Sequence, residues 1–258
     1  MIIGILQART KSSRLPQKVL RKIKDKTLLE LYINRIRKSR LIDNIIIATT
    51  TEPEDNIIEN LAKKIKIDCF RGSENDLIDR YYQCAKKYNA DIIVRLCSDD
   101  PFVDYQIVDR AIQIFKDNQA DFVTNHFDPT YPEGLDIEVY SIGALEKSWQ
   151  EAKLLSEREH VFPYVQNNQD QFKIINFTQD KDYSHLRWTI DYECDYEMTK
   201  VIYDYLYGKK PIFLQEDILQ LLEKHPEISE INAHIKRKEG VNLTKANDRI
   251  MKRKHKSA

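Results

Sequence analysis

The chain has no excess of either charge, no long apolar run, no paired cysteines and no glycine-rich phosphate loop, and each absence removes a class of function. Lys and Arg together number 41, and so do Asp and Glu. No net field therefore favours nucleic acid or an anionic membrane surface, and any anion site must be a local cluster. No uninterrupted apolar run approaches the ~20 residues needed to cross a bilayer, so no membrane span is expected. The opening Met1-Ile2-Ile3-Gly4-Ile5-Leu6 is too short for the apolar region of a signal peptide, lacks a basic start and runs directly into Gln7-Ala8-Arg9. A cytoplasmic location is the expectation. The cysteines Cys69, Cys84, Cys97 and Cys194 stand far apart, form no CxxC pair and lie in or near apolar or amphipathic stretches. They read as core thiols in a reducing compartment.

With 258 residues, 41% of them hydrophobic, the chain is long enough to bury a substantial core. A single domain over residues 1–248, followed by a basic, solvated tail over 249–258, is the simplest organisation. Apolar runs of strand length alternate with amphipathic runs of helix length. The pattern predicts strands at residues 2–8, 44–49, 67–70, 91–97 and 120–124, and helices at 27–39, 54–65, 76–88 and 104–116. The later half is less regular, with strands expected at 135–140, 172–177 and 186–190 and helices at 157–166 and 195–207. Such alternation implies an α/β fold with a mostly parallel sheet, helices on both faces and right-handed crossovers. Ligands bind these sheets beyond the carboxyl ends of the strands. That rule singles out the loop after the first strand, the loop after Thr49 and the turn Ser98-Asp99-Asp100-Pro101.

The first loop carries Arg9, Lys11, Arg14 and Lys18 within ten residues. Arg forks and Lys point charges suit a triphosphate. The loop holds no glycine, so neither the dinucleotide fingerprint nor the Walker loop is present, and side chains must hold the phosphates. The alternative is a solvated basic loop, against which stands its place directly after a buried strand. Asp99-Asp100-Pro101 ends the clearest buried strand. Magnesium prefers a few carboxylate oxygens completed by substrate phosphates, which an Asp here would supply. Asp before Pro is equally an ordinary helix start. A further strand-like run, Arg187-Trp188-Thr189-Ile190-Asp191, also ends in a carboxylate. Beside the first sheet, Asp191 would give the same metal a second ligand; alone, it would cap the next helix.

Gln7-Ala8-Arg9, then Ser13-Arg14-Leu15-Pro16, then Lys18 resembles the signature loop of the cytidylyltransferases that make CMP-activated acidic sugars, the acylneuraminate and 3-deoxy-manno-octulosonate family. The SpsF-like spore coat polysaccharide branch is similar also at Phe70-Arg71-Gly72-Ser73-Glu74, at residues 95–104 and 131–138, at Arg158-Glu159-His160-Val161 and at Arg187-Trp188-Thr189-Ile190-Asp191. The likeness spans most of residues 1–207. It implies a three-layer, Rossmann-like nucleotide-diphospho-sugar-transferase (GT-A-like) fold with a mixed, mostly parallel sheet and CTP in its crevice. It also implies that Arg9, Arg14 and Lys18 hold phosphates, that Gln7, Ala8, Arg71 and Ser98 complete the nucleotide site, and that Asp99 and Asp191 hold Mg2+. Arg14, Lys18 and Asp99 are then the catalytic candidates, and a homodimer is expected. Two positions depart from the family pattern. Ser98 stands where Gly is usual and either crowds the nucleotide or adds a hydrogen bond, and Asp100 stands where a neutral residue is common.

The expected reaction is attack by an acceptor oxygen on the α-phosphorus of CTP, with Arg14 and Lys18 neutralising the departing pyrophosphate. The acceptor is expected to be an acidic sugar or phosphorylated small molecule used in surface-polysaccharide or glycoconjugate biosynthesis. Asp136 and Glu138 share one face of an alternating run and suit sugar hydroxyls or, equally, an exposed strand face. His160, His185 and Arg187 are further acceptor candidates. Arg71, across the Gly72-Ser73 turn from Arg80, is placed to meet an acidic acceptor. Two other classes stay open. A glycosyltransferase of the same fold would use a nucleotide-sugar and an Asp-x-Asp motif, whereas Asp99 and Asp100 are adjacent. A nucleotide-binding module without activity has Ser98 as its one hint.

Overall fold

The computed structural model describes residues 1–12, 14–237 and 239–251. Ser13 of the basic loop and residues 252–258 of the basic tail lie outside the described residues. In chain order the elements are β1 (Ile2–Gln7), a hairpin of β2 (Lys22–Ile23) and β3 (Lys26–Thr27), α1 (Leu28–Ile36), β4 (Asn44–Thr50), α2 (Asn56–Lys64), β5 (Asp68–Gly72), α3 (Leu77–Lys87), β6 (Ile92–Cys97), α4 (Tyr105–Asn118) and β7 (Phe122–Thr124). They continue with β8 (Glu138–Ser141), α5 (Ile142–Glu151), α6 (Leu155–His160), α7 (Phe162–Asn167), β9 (Ile174–Asn176), α8 (Glu193–Leu206), α9 (Gln215–Lys224), α10 (Glu227–Glu230) and α11 (Glu239–Ala246).

Seven strands form one sheet in the order β5-β4-β1-β6-β8-β7-β9. β5, β4, β1 and β6 are mutually parallel, β8 runs antiparallel to both its neighbours, and β7 is parallel to β9. The period-2 alternation explains the two cores. Ile3, Ile5, Ile46, Ala48 and Ile93 face one layer, where Ile78, Tyr81 and Leu145 cover them. Leu6, Ile45, Ile47, Val94 and Leu96 face the other, under α1, α2, α4 and α8. The expected α/β architecture with a mostly parallel, mixed sheet is the one observed. Helix starts follow the sequence signals: Thr27 and Glu30 form a capping box on α1, and the Asp76 and Asp104 side chains cap α3 and α4.

Three expected elements differ. The helix at 157–166 is two, α6 and α7, broken at Val161 with φ 63°. Pro163 offers no N–H to continue the first helix, and its ring excludes the carbonyl four residues back. The strand expected from 135 pairs only from Glu138 onward. The Asn125 amide takes the earlier backbone bonds, donating to the Leu135 carbonyl at 2.8 Å and accepting from the Ile137 N–H at 2.7 Å. Residues 186–190 are extended but make a single bridge, Glu133 to Arg187. Past residue 248, the Arg249 carbonyl accepts from the Leu155 N–H at 2.9 Å and the Met251 N–H donates to the Lys153 carbonyl at 2.8 Å. Among the described residues, no helix is long and apolar enough to cross a membrane.

Candidate active site

β1 and β6 are adjacent and parallel at the centre of the sheet, with Gln7 opposite Cys97. The basic loop and the Ser98–Pro101 turn therefore leave the sheet side by side, at the strand ends where parallel sheets bind ligands. A cleft of about 490 Å³ opens there. The turn is held from beneath. Phe102 is buried against Trp188, Tyr203 and Phe213, and the buried Arg35 donates to the Phe102 and Val103 carbonyls at 3.0 Å each.

The centre of the cleft is a knot of opposite charges. The Lys18 ammonium, 12% exposed, donates to Asp99 Oδ2 at 2.9 Å, Asp191 Oδ1 at 2.9 Å and the Ile190 carbonyl at 2.8 Å. Arg14 reaches the same Asp191 oxygen at 2.7 Å. Burial alone would lower the Lys18 ammonium, but the Asp99 and Asp191 charges outweigh it and hold it above the usual lysine range. Burial works against the Asp191 carboxylate too, yet Lys18 and Arg14 hold it far below the usual carboxylate range. Asp100 goes the other way: burial, then the Asp99 and Asp136 charges, push its carboxyl well up, favouring the protonated form.

Residues distant in sequence are joined here by backbone contacts. The Ile190 N–H donates to the Asp99 carbonyl at 2.8 Å, which brings Asp191 alongside Asp99. Gly134, at φ 102°, lets the chain at 133–134 lie against this segment; a Cβ there would stand 2.7 Å from the Trp188 carbonyl carbon. Asp195, fully buried on α8, accepts from the Asp191 and Tyr192 N–H groups at 2.9 Å each and from Arg187 Nε at 2.9 Å. Sequence reasoning passed over Asp195 as a helix residue, although its spacing of four from Asp191 and eight from Arg187 was in view.

Of the expected site residues, Gln7, Ala8, Arg9, Arg14, Lys18, Ser98, Asp99, Asp136, Glu138, His160 and Asp191 all line the cleft. Arg71, Arg187 and His185 do not. Arg71 turns back to the Thr50 and Glu52 carbonyls at 2.8 and 2.7 Å and to Glu59 at 3.1 Å, tying β5 to the loop after β4. Arg187 is buried between Glu133 at 2.8 Å, Asp195 at 2.9 Å and Asp191 at 3.3 Å, where it braces Asp191 from behind. His185 is exposed. The two carboxylates of the 135–139 run have separate partners. Glu138 pairs across the sheet with Arg95 at 2.6 Å, and Asp136 with Arg237 at 2.6 Å and His126 at 3.4 Å. His160 meets Thr244 of α11 at 3.0 Å. Cleft residues that sequence reasoning did not assign include Glu74, Arg80, Arg95 and His126.

The donor set fits a hard divalent cation. Cys97, Asp99 and Asp100 bring ligand atoms within 4.8 Å of one another, but burial pushes the Cys97 thiol well up and keeps its proton on. Asp99 and Asp191 already converge on one cation, the Lys18 ammonium, and magnesium prefers such oxygen donors.

The sequence profile described as Cytidylyltransferase matches residues 3–250. The spore coat polysaccharide biosynthesis protein SpsF of Bacillus subtilis (strain 168) is 31% identical over 238 residues, 88% of this chain and 95% of that protein. A cytidylyltransferase from Leptospira borgpetersenii serovar Hardjo-bovis (strain JB197) has a structure similar at TM-score 0.85 with 39% identity, covering 88% of this chain and 96% of that one. CMP:2-keto-3-deoxy-manno-octonic acid synthetase, solved with CTP, shares the fold at TM-score 0.64 with 16% identity, covering 79% of this chain and 98% of that one. A profile that runs from the first strand to beyond the last described helix takes in the cleft and everything that shapes it, and the chain is an enzyme of the cytidylyltransferase family.

Proposed function

We propose that this enzyme transfers CMP from CTP, with Mg2+, to an acidic sugar or phosphorylated small acceptor, releasing pyrophosphate, in the synthesis of a surface polysaccharide or other glycoconjugate. One observation carries the reading: Lys18 and Arg14 converge with Asp99 and Asp191 at the carboxyl ends of the central strands. Paired carboxylates interleaved with two cations suit a metal-bound triphosphate. The CTP bound to the octonic acid synthetase supports CTP as donor, and the SpsF relationship supports a polysaccharide destination.

Mg2+ held by Asp99 and Asp191 would supply charge neutralisation at the phosphates and polarise the α-phosphorus. The rest falls to the chain. Arg14 and Lys18 bind phosphate oxygens and offset the charge that grows on pyrophosphate as the bond from α-phosphorus to the bridging oxygen breaks. Arg187 and Asp195 keep Asp191 in place throughout. An acceptor oxygen attacks the same phosphorus; where that oxygen is a hydroxyl, its proton passes to solvent water. Beyond Asp99, His126, Asp136 and the Arg95–Glu138 pair offer donors and acceptors for a polyhydroxylated acceptor.

Pyrophosphate release from each of the four nucleoside triphosphates, with magnesium and a panel of acidic sugars, sugar phosphates and phosphorylated metabolites, tests this. Release with CTP and one acceptor names the product. Silence with every pair, despite nucleotide binding, would favour a glycosyltransferase or binding module.

A further inference from the structure

A second cavity, of about 320 Å³, lies where the ends of α1 and α8 meet the chain at 211–212. Its volume is near the lower bound of small-molecule sites. Arg35, Arg37 and Lys38 line it together with Asn34, Tyr203 and Tyr207, so three cations share the space and no carboxylate among the described residues does. Arg37 and Lys38 are exposed, and Arg37 also donates to the Ile65 carbonyl at 2.6 Å.

Arg35 is the unusual member, at 1% exposed. Its Nε donates to the Val103 carbonyl and its Nη2 to the Phe102 and Phe213 carbonyls, which leaves Nη1 buried without a hydrogen-bond partner. The neighbouring Tyr203 hydroxyl donates to the Pro101 carbonyl at 3.0 Å. The carboxylates whose charge reaches Arg35 are engaged elsewhere: Asp104 accepts from the Gln106 and Gln215 N–H groups, and Asp217 pairs with Lys210. A buried charged donor without a partner is costly, so an anion that reaches it gains affinity. Two guanidinium forks and an ammonium around one space suit a phosphate group, and the half-buried Tyr207 ring gives its organic body a wall.

The position of this cavity gives it a consequence for the reaction. Arg35 and Tyr203 together hold the carbonyls of Pro101, Phe102 and Val103, directly after Asp99 and Asp100. A ligand bound to Arg35 acts on that turn without entering the cleft. We propose that this cavity is a second ligand site, which takes the phosphate group of a small molecule on Arg35, Arg37 and Lys38 and steadies the Asp99 turn from behind.

Hydrogen exchange of the full chain, read by mass spectrometry, tests it with inorganic phosphate, glucose 1-phosphate and CMP as probes. A ligand at ten times its dissociation constant slows the openings that destroy its site by about tenfold. That slowing is expected in residues 31–38, 203–212 and 100–103. Lys38→Glu and Asn34→Asp bring negative charge to the cavity without removing a packed side chain. Each should abolish the slowing at 31–38 and 203–212 and leave residues 8–18, in the cleft, exchanging as in wild type. If Asn34→Asp does not fold, Lys38→Glu, at an exposed position, decides alone. Equal potency of the three probes would identify the occupant as free phosphate, and a lower working concentration for glucose 1-phosphate or CMP would identify a sugar or nucleotide body. No slowing at 31–38 with any probe at millimolar concentration, or slowing there that survives Lys38→Glu, would overturn the site. Slowing at 100–103 that is the same in wild type and Lys38→Glu would come from the cleft and overturn the link to the turn.

Discussion

Replacing Asp195 with Asn changes one atom at the centre of the network that fixes Asp191. The two Asp195 oxygens accept from Arg187 Nε at 2.9 Å and NH2 at 3.1 Å, from the Asp191 and Tyr192 N–H groups at 2.9 Å each, and from Asn232 Nδ2 at 2.8 Å. Every partner is a donor. An amide therefore turns one acceptor into a donor facing donors, and it strips the buried Arg187 of its one bidentate countercharge. Breaking a buried ion pair costs about 3–5 kcal/mol. Arg187 keeps Glu133 at 2.8 Å and Asp191 at 3.3 Å, which puts the expected loss at the low end. About 3 kcal/mol in a domain of this size lowers the melting temperature by about 6–12 °C. Below that temperature the released Asp191 should still misplace its carboxylate, and turnover with CTP should fall about tenfold or more. Thermal unfolding by circular dichroism, paired with pyrophosphate release at 25 °C, reads both. An Asp195→Asn protein melting within 2 °C of wild type would refute the buried-network reasoning, and a stability loss with unchanged turnover would break its link to Asp191.

Other expectations are as direct. Gly134→Ala forces a Cβ to within 2.7 Å of the Trp188 backbone at a positive φ, so it should cost about 2–4 kcal/mol and depress turnover; wild-type stability would mean that the 187–191 segment yields freely. Asp99→Ala should lower magnesium-dependent turnover about a hundredfold or more while shifting melting only a few degrees, and full activity would dismiss Asp99 as a metal ligand. His160 titrates near 4 in the folded chain, because burial and then the Arg95 charge disfavour its protonated form. Unfolded, it takes its proton near 6.5. Its contribution to stability is therefore complete above about pH 6.5 and is lost as the pH falls toward 4, by up to about 3 kcal/mol. The His160→Gln protein should show a shallower fall in stability over that window, and parallel pH profiles would refute the assignment.

Much of the sheet was legible because its signals are local. Strands β1, β4 and β6 are apolar runs bounded by turn residues, and Thr27, Asp76 and Asp104 announce the helices they cap. The segments that misled are those whose backbone is satisfied by something distant. Asn125 takes the bonds of residues 135–137, and the run at 186–190 meets the chain near Glu133 through a single bridge. The site divides in the same way. Arg14, Lys18, Asp99 and Asp191 stand at the ends of strands or strand-like runs, where position alone marks them. Arg71 and Arg187 carry the charge expected of ligand residues, but each is consumed by partners, Glu59 at 12 residues and Glu133 at 54 residues away among them, that no local pattern displays. Arg80 inverts the case: its helical spacing reads as an amphipathic surface, and its burial without a partner is visible only once the helix is packed.

The most direct measurement follows the label. With a competent acceptor and magnesium, CTP labelled at the α-phosphorus should pass its label to the acceptor product, and CTP labelled at the γ-phosphorus should yield labelled pyrophosphate in equal amount. Transfer of a sugar from a CDP-sugar, with no movement of the α label from CTP, would contradict nucleotidyl transfer at the Lys18–Asp99–Asp191 cluster.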